Sequence, residues 1–275
     1  MSSITYSDHV EIESIYEGDL CIMPVCQISE DLCNHAESIV TDIFESPVDQ
    51  IQTDESADTY DFITKATSCK STFTNSEKTQ QLMKALISER YKLYPNHQIL
   101  YDVPRLRVVP NSNFLSSGMS YNYKPHRDTW YGAAQDQLNH WMPVSNVTKQ
   151  STFYLAPSYF AKPIQNNSEI FDLDEWDSKH RKLAAQSVES EQRPHPIPLV
   201  ELASEDKHGV VIPKGSEIVF SGCHLHGSQA NTTSKVRFSI DYRISPNTQS
   251  FKLPKNVDSR ATGDYKKYML NARQT

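Results

Sequence analysis

The central part of the chain alternates apolar and polar residues in short runs, as half-buried β-strands do. The clearest run covers residues 236–244 and reads Val-Arg-Phe-Ser-Ile-Asp-Tyr-Arg-Ile. Many short strands separated by turn residues predict an all-β core. Similar runs predict strands at 105–109, 118–123, 137–144, 152–155, 209–213 and 217–220, with a tight hairpin at Lys214-Gly215 between the last two.

The first hundred residues follow a different pattern. A strand is predicted at 20–26, and apolar residues at helical spacing over 32–44 predict a helix that begins near Ser29. A second helix is predicted at 76–93, whereas the polar and acidic residues 46–60 predict a loop. We expect these helices to brace the outside of the β core, so the predicted class is α+β, an all-β core with flanking helices.

Residues 156–208 interrupt the strand pattern with prolines, paired asparagines and an acidic segment. A connection of this length inside a compact domain is usually functional or disordered. We interpret it as an insertion over the mouth of the core, a lid or substrate wall, with a short helix at 174–188. Its acidic cluster is more simply a solvated helix start than a cation-binding site; the cluster comprises Asp172, Asp174, Glu175 and Asp177.

One domain is predicted for the whole chain, residues 1–275. Residues 1–100 would be helical and N-terminal support, and residues 101–245 the core with its insertion. The tail from 246 to 275 is polar and lysine-rich, and it contains no recognisable motif.

Candidate chemistry concentrates in two short segments. His126 and Asp128 are two residues apart, so on an extended segment both side chains would point to one face. A second pair, His224 and His226, lies far downstream, and periodicity alone does not choose between its members. Two imidazoles and one carboxylate suit a facial triad, which holds a non-haem Fe(II) on one side and leaves three positions open.

The strand at 236–244 strengthens this hypothesis. Arg237 follows His226 by eleven residues, and a strand–turn–strand of that length can bring a cation near the metal. A planar guanidinium matches a carboxylate bidentately. The other arginines have no distinguishing spacing. Arg107 or Arg243 could line the site, but exterior ion pairs are the more usual role for these residues, as for Arg105 and Arg127.

These features together resemble the Fe(II)/2-oxoglutarate-dependent oxygenases, most closely the phytanoyl-CoA-dioxygenase-like branch that includes ectoine and antibiotic-pathway hydroxylases. The resemblance covers residues 100–245. It implies a double-stranded β-helix, a jelly-roll or cupin-like barrel, that uses Fe(II), O₂ and 2-oxoglutarate as co-substrate. It also implies that the iron ligands are His126, Asp128 and His226, and that the far carboxylate of 2-oxoglutarate binds Arg237 and Ser228.

The same resemblance implies that Trp141 lines the co-substrate pocket. Strand alternation puts Gln137 and Asn139 on the face of Trp141, so both are candidates for hydrogen bonding to co-substrate or substrate. A satisfied polar residue inside the barrel is the competing interpretation. His224 would be a residue behind the ligands or a substrate contact. The run 128–143 also resembles oxygenases of aminoglycoside pathways.

Composition narrows the function further. The chain has 27 Lys and Arg against 34 Asp and Glu, a formal net charge of −7. That balance argues against a dedicated nucleic-acid binder and is compatible with a cationic substrate. The sequence predicts neither a membrane span nor a secretory signal. Five scattered cysteines without a Cys-x-x-Cys motif are interpreted as free thiols in a reducing cytoplasm.

The predicted activity is oxidation, by default hydroxylation, of an unactivated C–H bond in a small polar metabolite. The expected setting is natural-product biosynthesis, with release of succinate and CO₂. An amino sugar, an amino acid or a nucleoside-like compound would fit, and an acyl-CoA less well. Two alternatives stay open. One is a cupin-like metal enzyme that does not use 2-oxoglutarate and would not need Arg237; the other is a non-catalytic barrel protein that binds a metal or ligand.

Overall fold

The computed structural model describes residues 3–53, 58–111, 124–180, 193–247, 250–255 and 257–272. Their strands form a large mixed sheet in the order β1-β2-β8-β5-β10-β3-β11, with β4 also paired to β10, and a small sheet in the order β7-β6-β9. The strands are β1 (Ile4–Tyr6), β2 (Leu20–Met23), β3 (Leu100–Tyr101), β4 (Arg105–Val109), β5 (Leu138–Pro143), β6 (Phe153–Leu155), β7 (His208–Gly209), β8 (Glu217–Ser221), β9 (His226–Ser228), β10 (Arg237–Ser245) and β11 (Leu270–Asn271).

Strand β10 lies at the centre of the large sheet and pairs antiparallel with both β4 and β5. Its register places Asp241 opposite Arg105 on one side and Trp141 on the other. Because successive side chains of a strand alternate, one face of β10 is charged and the other apolar. The charged face carries Arg237, Ser239, Asp241 and Arg243, and the apolar face Phe238, Ile240, Tyr242 and Ile244.

Four helices supply the apolar cover for the second of these faces. They are α1 (Ile12–Glu17), α2 (Gln27–Phe44), α3 (Thr59–Asn75) and α4 (Glu77–Arg90). Leu32 and Leu86 of the helices are fully buried in one hydrophobic cluster with Phe238 and Ile240 of the sheet. The predicted helices at 32–44 and 76–93 are thus confirmed, each with its ends moved by a few residues. The helices do not cover the charged face of β10, and the candidate site lies on that face.

Helix α3 is an element that the sequence pattern does not predict over most of its length. Its sequence is rich in threonine and serine, which have modest helix propensity. Asp58 caps its first turn by accepting hydrogen bonds from the backbone N–H groups of Tyr60 and Asp61. Phe62 and Phe73 are buried against the sheet. Tertiary packing and the cap therefore stabilise a helix whose intrinsic preference is weak.

The small sheet packs against the charged face of the large one. A second hydrophobic cluster joins Trp141 of β5, Phe153 of β6 and Phe220 of β8. Two layers of sheet flanked by helices agree with the predicted α+β class, but the described strands form two sheets and no closed barrel. Among the described residues, no helix is both long enough and apolar enough to span a membrane.

Several predicted boundaries change. The strand predicted at 209–213 is reduced to His208–Gly209. The helix predicted at 174–188 is a short α5 (Leu173–Glu175) that continues as a π-helical turn, Trp176–His180. The rest of that helix, and the strand predicted at 118–123, lie outside the described residues.

Candidate metal and co-substrate site

Three side chains predicted as metal ligands converge in the structure. The ligand atoms of His126, Asp128 and His226 all lie within 4.8 Å of one another. The Oδ1 atom of Asp128 is 3.5 Å from Nε2 of His126 and 3.6 Å from Nε2 of His226. Two ligand atoms about 2.1 Å from one metal ion at right angles would lie about 3 Å apart. The cluster therefore needs only a small contraction to hold a metal ion on one face.

The two histidines are fixed to each other by their backbones. The N–H of His126 donates to the carbonyl of His226 at 2.8 Å, and the N–H of His226 donates to the carbonyl of His126 at 2.9 Å. This bridge extends the small sheet beyond β9 to the loop that carries Asp128. The Cα atoms of both residues are thereby set by main-chain hydrogen bonds, with no contribution from a bound ion.

The ring orientations are set by a second pair of hydrogen bonds. Nδ1 of His126 lies 2.8 Å from the carbonyl of Lys124, and Nδ1 of His226 lies 3.0 Å from the carbonyl of His224. A carbonyl accepts only, so each Nδ1 carries a proton, and Nε2 is the ring nitrogen that faces the cluster. Burial, reinforced by the neighbouring His126, lowers the pKa of His226 to about 3. A neutral imidazole of this tautomer is the form that binds a metal.

Asp128 enters the cluster at the end of an extended segment. Arg127 is extended, and Asp128 then opens a 3₁₀ turn, Asp128–Tyr131. Its N–H donates to the carbonyl of Gly222 at 2.9 Å, next to the end of β8. The expectation of one continuous strand from His126 through Asp128 is therefore correct for the first two residues only. The turn brings Asp128 under the histidines.

The second oxygen of this carboxylate, Oδ2, is held by side chains of the large sheet and its edge. Oδ2 of Asp128 accepts from Nε2 of Gln137 at 2.7 Å and from Nε of Arg243 at 3.5 Å. Burial alone would raise the pKa of Asp128, but the hydrogen bond with His126 and the charge of Arg243 bring it well below its usual range. The group is a permanent carboxylate whose Oδ1 is directed at the histidines.

Gln137 and Asn139 lie beside the Asp128 carboxylate, in the cavity that Trp141 also lines. The amide nitrogen of Gln137 bridges the Asp128 carboxylate and, at 2.9 Å, the Oδ1 atom of Asn139. Both residues line the cavity beside the cluster. Their hydrogen bonds orient the carboxylate, and contact with co-substrate or substrate from the same cavity stays a prediction.

Arg237 lies in the same cavity on the first position of β10. Its side chain is almost fully buried, and Nη1 donates to the carbonyl of Ser151 at 3.2 Å. Among the described residues, its buried Nε has no hydrogen-bond partner. Burial, together with the charge of Arg107, lowers the pKa of Arg237 to about 10. A buried guanidinium with an unsatisfied donor has the chemistry of an anion-binding group.

Trp141 and Ser228, the other residues predicted for the co-substrate, also line this cavity. Trp141 packs on Phe153 with ring centroids 4.9 Å apart, which joins the large sheet to the small one. Ser228 is paired with Phe153 in the small sheet, two residues after His226. The cavity therefore has an apolar wall between the metal cluster and Arg237.

His224 takes no part in the cluster. It is fully buried, with Nε2 3.1 Å from the carbonyl of Gly18 and Nδ1 3.3 Å from that of Ser221. Its ring packs against that of Phe160 in a tilted arrangement, with centroids 4.4 Å apart. Burial lowers the pKa of His224 to about 4, so the ring is neutral and donates to one carbonyl at a time. His224 therefore ties the end of α1 to the segment that carries His226, and it is not among the described residues that line the cavity.

Three arginines interpreted mainly as exterior residues line the cavity. Arg107 forms a two-point ion pair with Asp241 at 2.5 and 3.0 Å, and Arg243 reaches the metal cluster. Arg105 donates to Asp102 at 2.9 Å. The sequence does indicate the position of Arg243. It lies an even number of residues after Arg237 in one strand, so both side chains must point to the same face of the sheet.

Arg127 is a buried connector. Its guanidinium donates to the carbonyls of Cys223, at 2.5 Å, and of Tyr159, at 2.7 Å, and it pairs with Asp258 at 3.2 Å. Asp258 belongs to the tail, for which no motif is apparent in the sequence, and it also accepts from Nε1 of Trp130 at 2.8 Å. The tail and the insertion are thereby attached to the loop that carries the predicted ligands.

The insertion supplies one wall of the cavity. Phe171 and Trp176 line it together with Tyr131, whose ring lies 5.1 Å from that of His126. Ring centroids are 5.0 Å apart for Tyr131 and Phe171, and 5.3 Å for Phe171 and Trp176. An aromatic wall therefore extends from the metal cluster into the insertion.

Comparison with known proteins identifies the fold. No family model matches the sequence, and no curated protein matches it. Among solved structures, EvdO2 from Micromonospora carbonacea var. aurantiaca complexed with 2-oxoglutarate aligns with a TM-score of 0.51 and 11% identity over 94% of this chain and 98% of that one. SnoN in complex with Fe³⁺, alpha ketoglutarate and nogalamycin RO gives 0.48 and 10% over 95% and 97%. EctD from S. alaskensis with bound Fe gives 0.44 and 12% over 91% and 80%. The resemblance predicted from the sequence is confirmed at the level of the fold, through the likeness to EvdO2.

Proposed function

We propose that this protein is an Fe(II)- and 2-oxoglutarate-dependent oxygenase that acts on a small molecule. One observation carries the proposal. Two imidazoles and one permanent carboxylate converge in the same cavity as a buried arginine whose Nε has no hydrogen-bond partner among the described residues. The first set fits a facial iron site, and the second fits a carboxylate. The likeness in fold to EvdO2, whose structure contains 2-oxoglutarate, supports the same assignment.

The ligand residues fit iron by the chemistry of their donors. Nitrogen from His126 and His226 and oxygen from Asp128, without a thiolate, are the donors that non-haem iron(II) enzymes use. Iron bound here would supply the oxidation of a substrate C–H bond by O₂, coupled to conversion of 2-oxoglutarate to succinate and CO₂. The contribution of the chain is to present three donors on one side and to leave the cavity side open.

Arg237 would hold the far carboxylate of 2-oxoglutarate, with the Ser228 hydroxyl as a second donor. Because Arg237 is buried, a carboxylate there would satisfy its Nε and replace the water it has lost. Trp141 and Phe153 would cover the carbon chain and exclude water from the reacting end. Gln137 and Arg243 would keep Asp128 ionised and correctly turned.

Arg237 is the residue that distinguishes this proposal from the main alternative, a cupin-like metal enzyme. A cupin-like enzyme without 2-oxoglutarate has no use for a carboxylate anchor at this position. The test is calorimetric titration of 2-oxoglutarate into the cobalt(II)-loaded protein, with succinate release in air as the second readout. Arg237→Gln should raise the Kd for 2-oxoglutarate by roughly 10- to 100-fold. This is the effect expected when a hydrogen bond to a charged group, worth about 1.5–3 kcal/mol, is lost.

Asp128→Ala provides the complementary variant, because it should abolish succinate release by removing a ligand. If the wild-type protein bound no 2-oxoglutarate, or if Arg237→Gln bound it equally well, the oxygenase proposal would be overturned. Metal binding without 2-oxoglutarate binding would then support the cupin-like alternative.

A further inference from the structure

The cavity has room for a second ligand beside the co-substrate. Its volume is about 540 Å³, within the range of sites for drug-sized molecules and more than a five-carbon dicarboxylate requires. Among the described residues, its lining contains more cationic side chains than carboxylates. The carboxylates are Asp128 and Asp241; the cations are Lys70, Arg105, Arg107, Arg193, Arg237 and Arg243.

These charges form two groups along the inner face of β4 and β10. Arg237 and Arg107 belong to the end assigned above to the co-substrate. Arg243 belongs to the other end, because its Nε reaches Asp128 and its Nη1 lies 3.3 Å from Asp102. Arg105 shares Asp102 with it, since its Nη2 donates to the same oxygen at 2.9 Å. Two guanidiniums therefore converge on one carboxylate next to the metal cluster.

The tail holds this pair in position. The hydroxyl of Tyr265 accepts from Nη2 of Arg105 at 2.6 Å and donates to Oδ2 of Asp102 at 2.7 Å. The guanidinium of Arg243 lies over the Tyr265 ring at 5.9 Å. Each guanidinium has five N–H donors in a fixed fork, so sharing one carboxylate leaves donors of both directed elsewhere. Arg243 also lies 3.5 Å from Asp128 and 3.6 Å from Asp241, so the donors of Arg105 and Arg243 are shared among three carboxylates and are not all used by Asp102.

The opposite side of this end is aromatic, with the guanidinium of Arg193 over the Trp176 ring at 5.5 Å. Tyr131, Phe171 and Trp176 form the aromatic wall that starts at His126, and they line the same cavity as Arg105 and Arg243. A molecule next to the metal would thus contact rings on one side and guanidiniums on the other. Such a site selects an apolar or ring-shaped body with an anionic group.

The acidic residues of the insertion do not counter this charge. Asp172 caps α5 by accepting from the N–H groups of Asp174 and Glu175. Asp174 pairs with Lys267, and Glu175 with Lys179, on exposed surface. None of these carboxylates lines the cavity. The net charge of the chain, which is compatible with a cationic substrate, therefore describes the outer surface and not the site.

We propose that the substrate carries an anionic oxoacid group, a carboxylate or a phosphate, that binds Arg105 and Arg243 while its carbon skeleton packs on Tyr131, Phe171 and Trp176. This inference rests on the proposed function, since it takes the metal cluster as the reacting end. Among the amino sugars, amino acids and nucleoside-like compounds expected from the sequence, it favours those that carry an acid group.

The test uses four matched probes with a phenyl ring and different charge: phenylpropionate, phenyl phosphate, phenylpropylamine and phenylpropanol. Each is titrated calorimetrically into protein saturated with cobalt(II) and 2-oxoglutarate without oxygen, so that Arg237 is already occupied. At least one of the two anions should bind about tenfold more tightly than the amine and the alcohol. The better anion identifies the oxoacid.

Two variants locate the preference. Arg105→Gln should lower the affinity for the anion about tenfold, and Arg105→Glu should make the amine the better ligand. Both should fold, because Asp102 keeps Arg243 and Tyr265 as partners. Arg260→Gln is the matched control, since Arg260 pairs with Glu169 on the surface and does not line the cavity.

Each outcome decides between the two proposals. If 2-oxoglutarate binds but the anions do not bind, or bind no better than the amine, the anionic substrate is overturned and the proposed function stands. Unchanged anion affinity in Arg105→Gln would also overturn it. Failure of 2-oxoglutarate itself to bind would instead count against the proposed function.

Discussion

The two oxygens of Asp128 have separate tasks. Oδ1 faces the histidines, while Oδ2 is occupied by the amide of Gln137 and the guanidinium of Arg243. This division predisposes the carboxylate to bind a metal through one oxygen, because the second would have to leave two hydrogen bonds. It also fixes the rotation of the side chain before any ion arrives.

At this scale the first prediction concerns Gln137. Replacing Gln137 by Met keeps the length of the side chain and removes the donor, so the Asp128 carboxylate can rotate. Affinity for cobalt(II), followed by its absorption spectrum, should fall by roughly 10- to 100-fold, as is typical of residues that orient a metal ligand. Gln81→Met, an exposed change of the same type on α4, should leave it unaltered. Equal affinities for cobalt(II) in the two variants would show that Gln137 does not orient Asp128.

At the scale of elements, the loop that carries Asp128 depends on a segment far away in sequence. Asp258 of the tail is 4% exposed and accepts from both Arg127 and Trp130. The residues next to Asp258 form little regular secondary structure, so the side chain of Asp258 itself connects the tail to the loop. Removing it would leave the Arg127 guanidinium buried without a carboxylate.

Asp258→Ala should therefore lower the free energy of unfolding by about 3–5 kcal/mol, the usual cost of breaking a buried ion pair. For a chain of this size the Tm should fall by roughly 10 °C. Asp264→Ala, in the same tail, removes only a cap of a 3₁₀ turn and should cost about 1 kcal/mol. Calorimetric scans of both variants make the comparison, and a similar small loss in each would show that the tail connection is not needed.

The sequence predicts elements well where one pattern dominates. Strand β10 alternates strictly, and α2 has a clear apolar stripe, so both are found where expected. Helix α3 is missed because its helical spacing of Phe62, Ala66, Cys69 and Phe73 is diluted by threonine and serine. The three residues of the candidate metal site can be predicted from spacing and resemblance. The contacts of Asp258 are not, since a buried ion pair across 131 residues leaves no local trace.

At the scale of the whole molecule, a buried polar network joins the helices to the sheet. Glu217 of β8 accepts from Arg90 of α4 at 2.8 Å and from the hydroxyl of Tyr242 at 2.5 Å. The ring of His140 lies between Glu217, at 3.1 Å, and the hydroxyl of Tyr91, at 2.8 Å. The network is on the helix face, opposite the site, so its role is to fix how α4 docks on the sheet.

This network gives the fold an acid-sensitive stability. Burial opposes ionisation of Glu217, but hydrogen bonding with His140 and the charge of Arg90 bring its pKa down to about 2. A depressed carboxyl pKa stabilises the fold above the unfolded value of about 4.3, and this stability is lost as pH falls towards 2. Burial also lowers the pKa of His140. The unfolded histidine takes up a proton below about pH 6.5, so acid favours unfolding from that point.

The free energy of unfolding of the metal-free protein should thus decrease continuously from about pH 6.5 downwards. Glu217→Gln should cost about 3–5 kcal/mol at neutral pH and flatten the part of the curve below about pH 4. His140→Gln should flatten the part between about pH 6.5 and 5. Urea titrations at a series of pH values measure both. A parallel displacement of either curve, with no change in slope, would contradict the assignment.

Side chains of the cavity and side chains of the helix core alternate along strand β10. Arg237, Asp241 and Arg243 point into the cavity, and Phe238 and Tyr242 point into the helix core. Inserting one residue would exchange the two sets, which buries two guanidiniums among apolar side chains and exposes the core. Inserting two would restore the faces but displace the anchor by about 7 Å. Diversification of this architecture must therefore proceed by point substitution in β10 and by length changes in the insertion and tail, while the length of β10 stays constant.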